Sequence, residues 1–200
     1  MDTKRYISEE SHMLDGFRLG RVVYEAGFRP TFIVGLWRGG SAVGIVVQEC
    51  LAALGVETDH IALRTSYAGR EQYEQAIRGQ REIRVHGRGY LLETVNAEDN
   101  LLIVDDVFSS GRHTNAVVDY LRDGLKRNMP NDIRIATTWW RRARIGDPVS
   151  SNDPAPDFYV RQTDQWLVLP YEMAGLTENE IRYNKSFLLP LLEACGQLED

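Results

Sequence analysis

Apolar residues along the chain follow two rhythms. Short unbroken runs, each closed by glycine, acid or arginine, read as strands buried on both faces: 31–37, 60–64, 101–104 and 132–140. Between and around them lie stretches with apolar residues every three or four positions, which read as helices over 8–26, 42–54, 115 to about 127 and 178–192. Within the first helix the spacing points Met13 and Phe17, with Val23 and Tyr24, inward. Glu82–Val85 and Tyr90–Val95, split by the glycines of His86-Gly-Arg-Gly89, read as a hairpin. The stretch 68–84 is polar and charged, too long for a plain connection, and 146–156 is a loop rich in Asp, Ser and Pro.

Two of the strand-to-helix junctions carry chemistry. At the first, the run ending at Trp37 passes into Arg38-Gly-Gly-Ser41, a glycine turn that can offer amides and a guanidinium to an anion. At the second, the run 101–104 delivers Asp105 and Asp106 to the carboxyl end of a strand, where open α/β sheets place ligands. Adjacent carboxylates there need a partner: a vicinal diol, a cation, or both. The following residues, Phe108, Ser109, Ser110, Gly111, Arg112, His113 and Thr114, put hydroxyls and a charge around a glycine just before a helix. That combination suits a phosphate.

Taken together, the four apolar residues, the two acids and the Ser-Ser-Gly turn resemble the 5-phosphoribosyl-1-pyrophosphate (PRPP) motif of the type I phosphoribosyltransferases. The resemblance implies that Asp105 and Asp106 hold the ribose hydroxyls and a Mg²⁺, and that residues 108–114 wrap the 5′-phosphate. Arg38 and Gly39 correspond to the pyrophosphate loop, where members of the family often have a cis peptide, here Trp37–Arg38. Ser66-Tyr67 resembles the start of the mobile loop of the 6-oxopurine enzymes, which also meets pyrophosphate. Arg141 takes the place of a lysine that donates to the purine. Trp166 and Leu167 fall where an aromatic segment covers the base, and Glu172, six residues after Trp166, where an acid holds magnesium pyrophosphate.

The implied fold class is α/β: a mainly parallel twisted sheet flanked by helices, in one domain with a core over about 28–140, a small hood over about 141–200 with an N-terminal contribution, and a mobile loop over about 65–90. The implied activity is Mg²⁺-dependent transfer of the phosphoribosyl group from PRPP to hypoxanthine, guanine or xanthine, in purine salvage. A nucleoside monophosphate and pyrophosphate are the products, and a homo-oligomer is expected. One position departs from the pattern. Ser109 stands where 6-oxopurine enzymes carry an aspartate general base, and a serine hydroxyl cannot replace a carboxylate in that role. Asp105, Asp106 and Ser109 are therefore the catalytic candidates. A phosphoribosyltransferase for another base, and a silent PRPP or nucleotide sensor with the same fold, remain alternatives.

Composition narrows the picture only a little. With 200 residues, 43% of them hydrophobic, the chain can bury a sizeable core. A net charge of −6 speaks against a nonspecific nucleic-acid partner, despite the local run Trp139-Trp-Arg-Arg-Ala-Arg144. No apolar run is long enough for a membrane span and the first residues lack a signal-peptide core, so the expected location is the cytoplasm. Cys50 and Cys195 have neither disulfide nor metal-site spacing.

Overall fold

The computed structural model of the chain describes residues 4–65, 85–142 and 154–195. It divides into two compact units. The larger contains the described residues between 10 and 164, and its centre is a six-stranded sheet in the order β4-β3-β2-β5-β6-β7. The strands are β2 (Phe32–Trp37), β3 (Asp59–Thr65), β4 (Val85–His86), β5 (Asn100–Phe108), β6 (Asp132–Arg141) and β7 (Phe158–Thr163). All neighbours are parallel except β4, which runs antiparallel to β3 at the edge.

Alternation along β5 divides the core between two faces. Leu101 and Ile103 enter a cluster with Leu36, Leu63, Val117 and Leu121. Leu102 and Val104 enter another with Leu19, Val23, Val43 and Val47. The first face is covered by α4 (Arg112–Leu125) and the short α3 (Gly89–Thr94), the second by α1 (Glu9–Glu25) and α2 (Gly39–Ala53). Asp15, fully buried in α1, binds Arg161 of β7 at 2.7 Å and Arg18 at 2.8 Å. Two guanidiniums compensate one desolvated carboxylate and tie α1 to the sheet.

Four expectations change. Met13 and Phe17 are 53% and 43% exposed, because α1 instead buries Asp15, Gly16, Leu19, Gly20 and Val23. A methyl at Gly16 would meet Val46, and one at Gly20 would meet Cys50, so these glycines let α1 lie close on α2. Residues 89–94 are helical where a strand was expected: the stretch is one short turn whose buried anchor is Leu91, too short for periodicity to decide. Phe158–Thr163 extends the main sheet beside β6, so the smaller unit begins at Gln165 rather than near 141. The C-terminal helix is broken into α5 (Glu178–Asn184), a turn at Ser186–Leu188, and α6 (Leu189–Ala194).

Among its described residues, the smaller unit joins the N-terminal strand β1 (Lys4–Tyr6) to β8 (Trp166–Val168) in parallel, with Trp166 opposite Lys4. Thr177 and Glu180 form a reciprocal capping box at the start of α5. Lys4 binds Glu180 at 2.6 Å, and this partner, followed by the Thr177 amide, holds the Glu180 carboxyl down at about 2. Lys185, 3% exposed, donates to the carbonyls of Leu169 (2.8 Å) and Pro170 (2.6 Å).

Candidate active site

The acid pair lies where the sheet opens. Up to Val104, β5 is flanked by β2 on one side and β6 on the other; its pairing with β2 ends at Gly35↔Val104. On the β6 side the register stays constant through Phe108↔Trp140, with Asp106 not among the paired positions. Side-chain oxygens lie on three backbone amides of this stretch. Asp106 N–H donates to Asp105 Oδ1 (3.0 Å) and Val107 N–H to Asp106 Oδ1 (2.7 Å), while Phe108 N–H goes to Thr137 Oγ1 (3.2 Å). Burial, then the neighbouring Asp106 charge, pushes the Asp105 carboxyl well above the usual carboxylate range.

After Phe108, whose side chain is buried, the chain bends through Ser109 and Ser110 to Gly111. Gly111 has φ +69°, a conformation glycine adopts without penalty, and a methyl there would also sit 3.0 Å from the Phe108 ring. Its carbonyl accepts from Asn115 N–H (2.9 Å) and Thr114 Oγ1 (2.8 Å), so the helix begins at Arg112, three residues earlier than expected. His113 sets its Nδ1 3.0 Å from Thr65 Oγ1, at the end of β3. Burial drives its pKa down to about 4 and Arg112 adds to this, against the opposing pull of Asp106. His113 is therefore neutral at pH 7.

The other loop arrives from β2. Trp37–Arg38 is a cis peptide, Trp37 and Arg38 are exposed, and α2 starts at Gly39 with no acid in its first turn. Gly40 brings the two loops together. A methyl at Gly40 would lie 2.9 Å from the Asp105 Cα and 3.2 Å from the Val104 carbonyl carbon, closer still to the Val104 oxygen. With hydrogen in its place, the start of α2 rests directly on the strand that carries the acids. Gly35 does the same for Ser41 and His60.

Arg141 ends β6 and pairs with Thr163. Since Trp140 is level with Phe108, Arg141 lies one step further along β6, level with the start of the turn at 109–111. Trp140 packs edge-on to Tyr159 at 5.1 Å, and Arg142 lies 5.2 Å from the Trp140 ring. Thus Arg38, Gly39, Asp105, Asp106, 108–114 and Arg141 share one end of one sheet. Ser66 and Tyr67 lie outside the described residues. Trp166, Leu167 and Glu172 belong to the smaller unit, where Leu167 is buried against β1 and Glu172 accepts the Leu169 N–H at 3.0 Å. Sequence reading missed Gly40, Thr65, Thr137 and Thr138. A Gly-Gly and a Thr-Thr pair are ordinary in a turn and a strand, and only their neighbours across the fold give them meaning.

No family model matches the chain, and neither does any curated protein. Solved structures do. The purine phosphoribosyltransferase of Pyrococcus horikoshii superposes with a TM-score of 0.60 at 22% identity, over 88% of this chain and 98% of that one. The xanthine-guanine-hypoxanthine phosphoribosyltransferase of Helicobacter pylori gives 0.60 at 14%, over 92% and 99%. A hypothetical protein of Neisseria gonorrhoeae with bound ppGpp gives 0.63 at 14%, over 94% and 98%. With its mainly parallel sheet, its glycine loop after β2 and its acid-bearing turn after β5, the chain has the fold of the type I phosphoribosyltransferases.

Proposed function

We propose that this protein transfers the 5-phosphoribosyl group of PRPP to a purine base, hypoxanthine, guanine or xanthine, and releases pyrophosphate. The observation that carries the reading is the contact of Gly40 with Val104 and Asp105, which sets an arginine-glycine loop against a carboxylate pair followed by a phosphate-type turn. Three subsites for pyrophosphate, ribose and 5′-phosphate then lie in the order in which PRPP presents those groups. In the reaction a ring nitrogen of the base forms the bond to C1′, the C1′–O bond to pyrophosphate breaks, and the N–H proton of the base passes to water or to the departing pyrophosphate. The transition state resembles an oxocarbenium ion, so charge placement matters more than a protein nucleophile.

Arg38 and the amides of Gly39 and its neighbours hold the departing pyrophosphate. Ser109, Ser110, Gly111, Arg112, His113 and Thr114 anchor the 5′-phosphate, Phe108 shaping the turn from the core. A Mg²⁺ suits two adjacent carboxylates, Asp105 and Asp106, and, when bound, would neutralise charge on the leaving group. Substrate oxygens and water would complete its shell. Arg141 donates to the base. Trp166 and Leu167 as base contacts, Glu172 as a magnesium pyrophosphate ligand and Ser66-Tyr67 as a cover over pyrophosphate rest on the family resemblance.

A panel of hypoxanthine, guanine, xanthine, adenine and orotate with PRPP and Mg²⁺, read as nucleotide and pyrophosphate, tests the proposal. Product with a 6-oxopurine is expected. Product only with adenine or orotate transfers the reading to another base. The Neisseria protein with bound ppGpp favours a second reading, a nucleotide sensor. Nucleotide binding without product across the panel would support it.

A further inference from the structure

We propose that Thr137 and Thr138 of β6 are positioning residues for the acid pair, acting through the main chain of Asp106. In a regular parallel pair every second residue of a strand bonds to the neighbouring strand's backbone, at even intervals. At Asp106, the one position not paired between Asp105↔Thr137 and Val107↔Trp139, side-chain hydroxyls reach the main chain. The Asp106 carbonyl accepts from Thr138 Oγ1 at 2.8 Å and from Thr137 Oγ1 at 3.0 Å, and Thr137 Oγ1 in turn accepts from Phe108 N–H at 3.2 Å. Both threonines are fully buried.

The two hydroxyls are not equal. Thr137 Oγ1 also lies 3.1 Å from the Trp139 carbonyl and has a single proton to divide between two acceptors. Thr138 commits its proton to Asp106 alone, at the shorter distance. Thr137 and Thr138 thus tie the Asp106 carbonyl to β6 through side chains. Beside it, Asp106 N–H and Val107 N–H are served by the carboxylates of Asp105 and Asp106. The hydroxyl clasp therefore fixes where each carboxylate points and how closely the two charges face one another.

The kinetic part of the test rests on the phosphoribosyltransferase reading, and the spectroscopic part does not. T138V keeps shape and β-branching but removes the donor, T138S restores it without the methyl, and T137V removes the shared one. Carbon-13 carboxyl titrations of Asp105 and Asp106 in ligand-free protein should shift in T138V and return towards wild type in T138S. The KM for PRPP should rise about five- to tenfold in T138V, as expected for one buried hydrogen bond acting on a binding group, while kcat changes less. T137V should have a smaller effect than T138V. Should T138V not fold, T138A gives the same comparison. If the wild type shows no PRPP turnover but the titrations move as described, the functional reading fails and this one stands. Unchanged carboxyl titrations in a folded T138V or T138A protein would overturn it, whatever the thermal stability.

Discussion

Replacing Gly40 by alanine is the sharpest test of how the site is assembled. The added methyl would stand 2.9 Å from the Asp105 Cα and 3.2 Å from the Val104 carbonyl carbon, both backbone atoms in a strand whose Val104 is completely buried. Carbon pairs settle at roughly 3.5–4.0 Å, so the start of α2 must retreat by about 0.6–1.1 Å. Overpacking of this kind costs about 1–3 kcal/mol, offset by roughly 1 kcal/mol because alanine favours a helix over glycine. The net loss of stability is then about 0–2 kcal/mol. The functional cost is larger, since a misplacement of about 1 Å can lower turnover about 100-fold. Urea titration followed by tryptophan fluorescence measures the first quantity and pyrophosphate release the second. Gly55 is the control: its φ of +80° strains an alanine, but nothing lies within 4 Å, so G55A should lose stability without losing activity per folded molecule. The reasoning fails if G40A, still folded, turns over PRPP as well as G55A does.

The remaining expectations concern charge. Asp105 has its folded pKa raised, so the stability linked to its protonated form is present in acid and lost as pH rises through that value. D105N should therefore be more stable than wild type at pH 7–8 by about 1 kcal/mol, with the gap closing in acid, while PRPP and Mg²⁺ binding weaken; thermal melts across pH check the first part and titration calorimetry the second. His113 shows the reverse sign, a folded pKa lowered from 6.5 to about 4, so its contribution is complete above pH 6.5 and disappears as pH falls towards 4. H113N should flatten the loss of stability over that window by up to about 1.4 kcal/mol per pH unit, measured by urea melts at stepped pH. S109D should raise turnover with hypoxanthine or guanine and leave the KM for PRPP nearly unchanged; no gain in turnover would remove the account of a missing base. In the smaller unit, K185M would strip the donor from the Leu169 and Pro170 carbonyls and lower stability by about 1–3 kcal/mol on a thermal melt, with no dependence on PRPP.

Reading the chain as a string succeeds where a motif is local. The run before Asp105, the two acids and the glycine at 111 lie within a few residues of one another, and each residue's own stereochemistry says what it needs: β-branched and leucine side chains for a buried strand, a positive φ for Gly111. It fails where the informative residue carries no hydrophobic signal. Gly16 and Gly20 form the buried seam of α1, yet glycine adds nothing to an apolar stripe, and Met13 and Phe17 were therefore placed inside. Residues 89–94 are too few for a period of two to be told from one of 3.6.

By itself, then, the order of residues determined the central parallel strands, the two strand-to-helix turns and the identity of the acids, because each follows from neighbours along the chain. Only the tertiary structure decided that Gly40 rests on Asp105, that Thr137 and Thr138 hold the Asp106 carbonyl, and that His113 reaches Thr65. These partners are separated by 31 or more positions in the chain, as for Thr137 and Asp106, and strand order and register bring them together. Close packing admits or refuses a methyl group according to what lies opposite, and no residue carries that information in its own side chain.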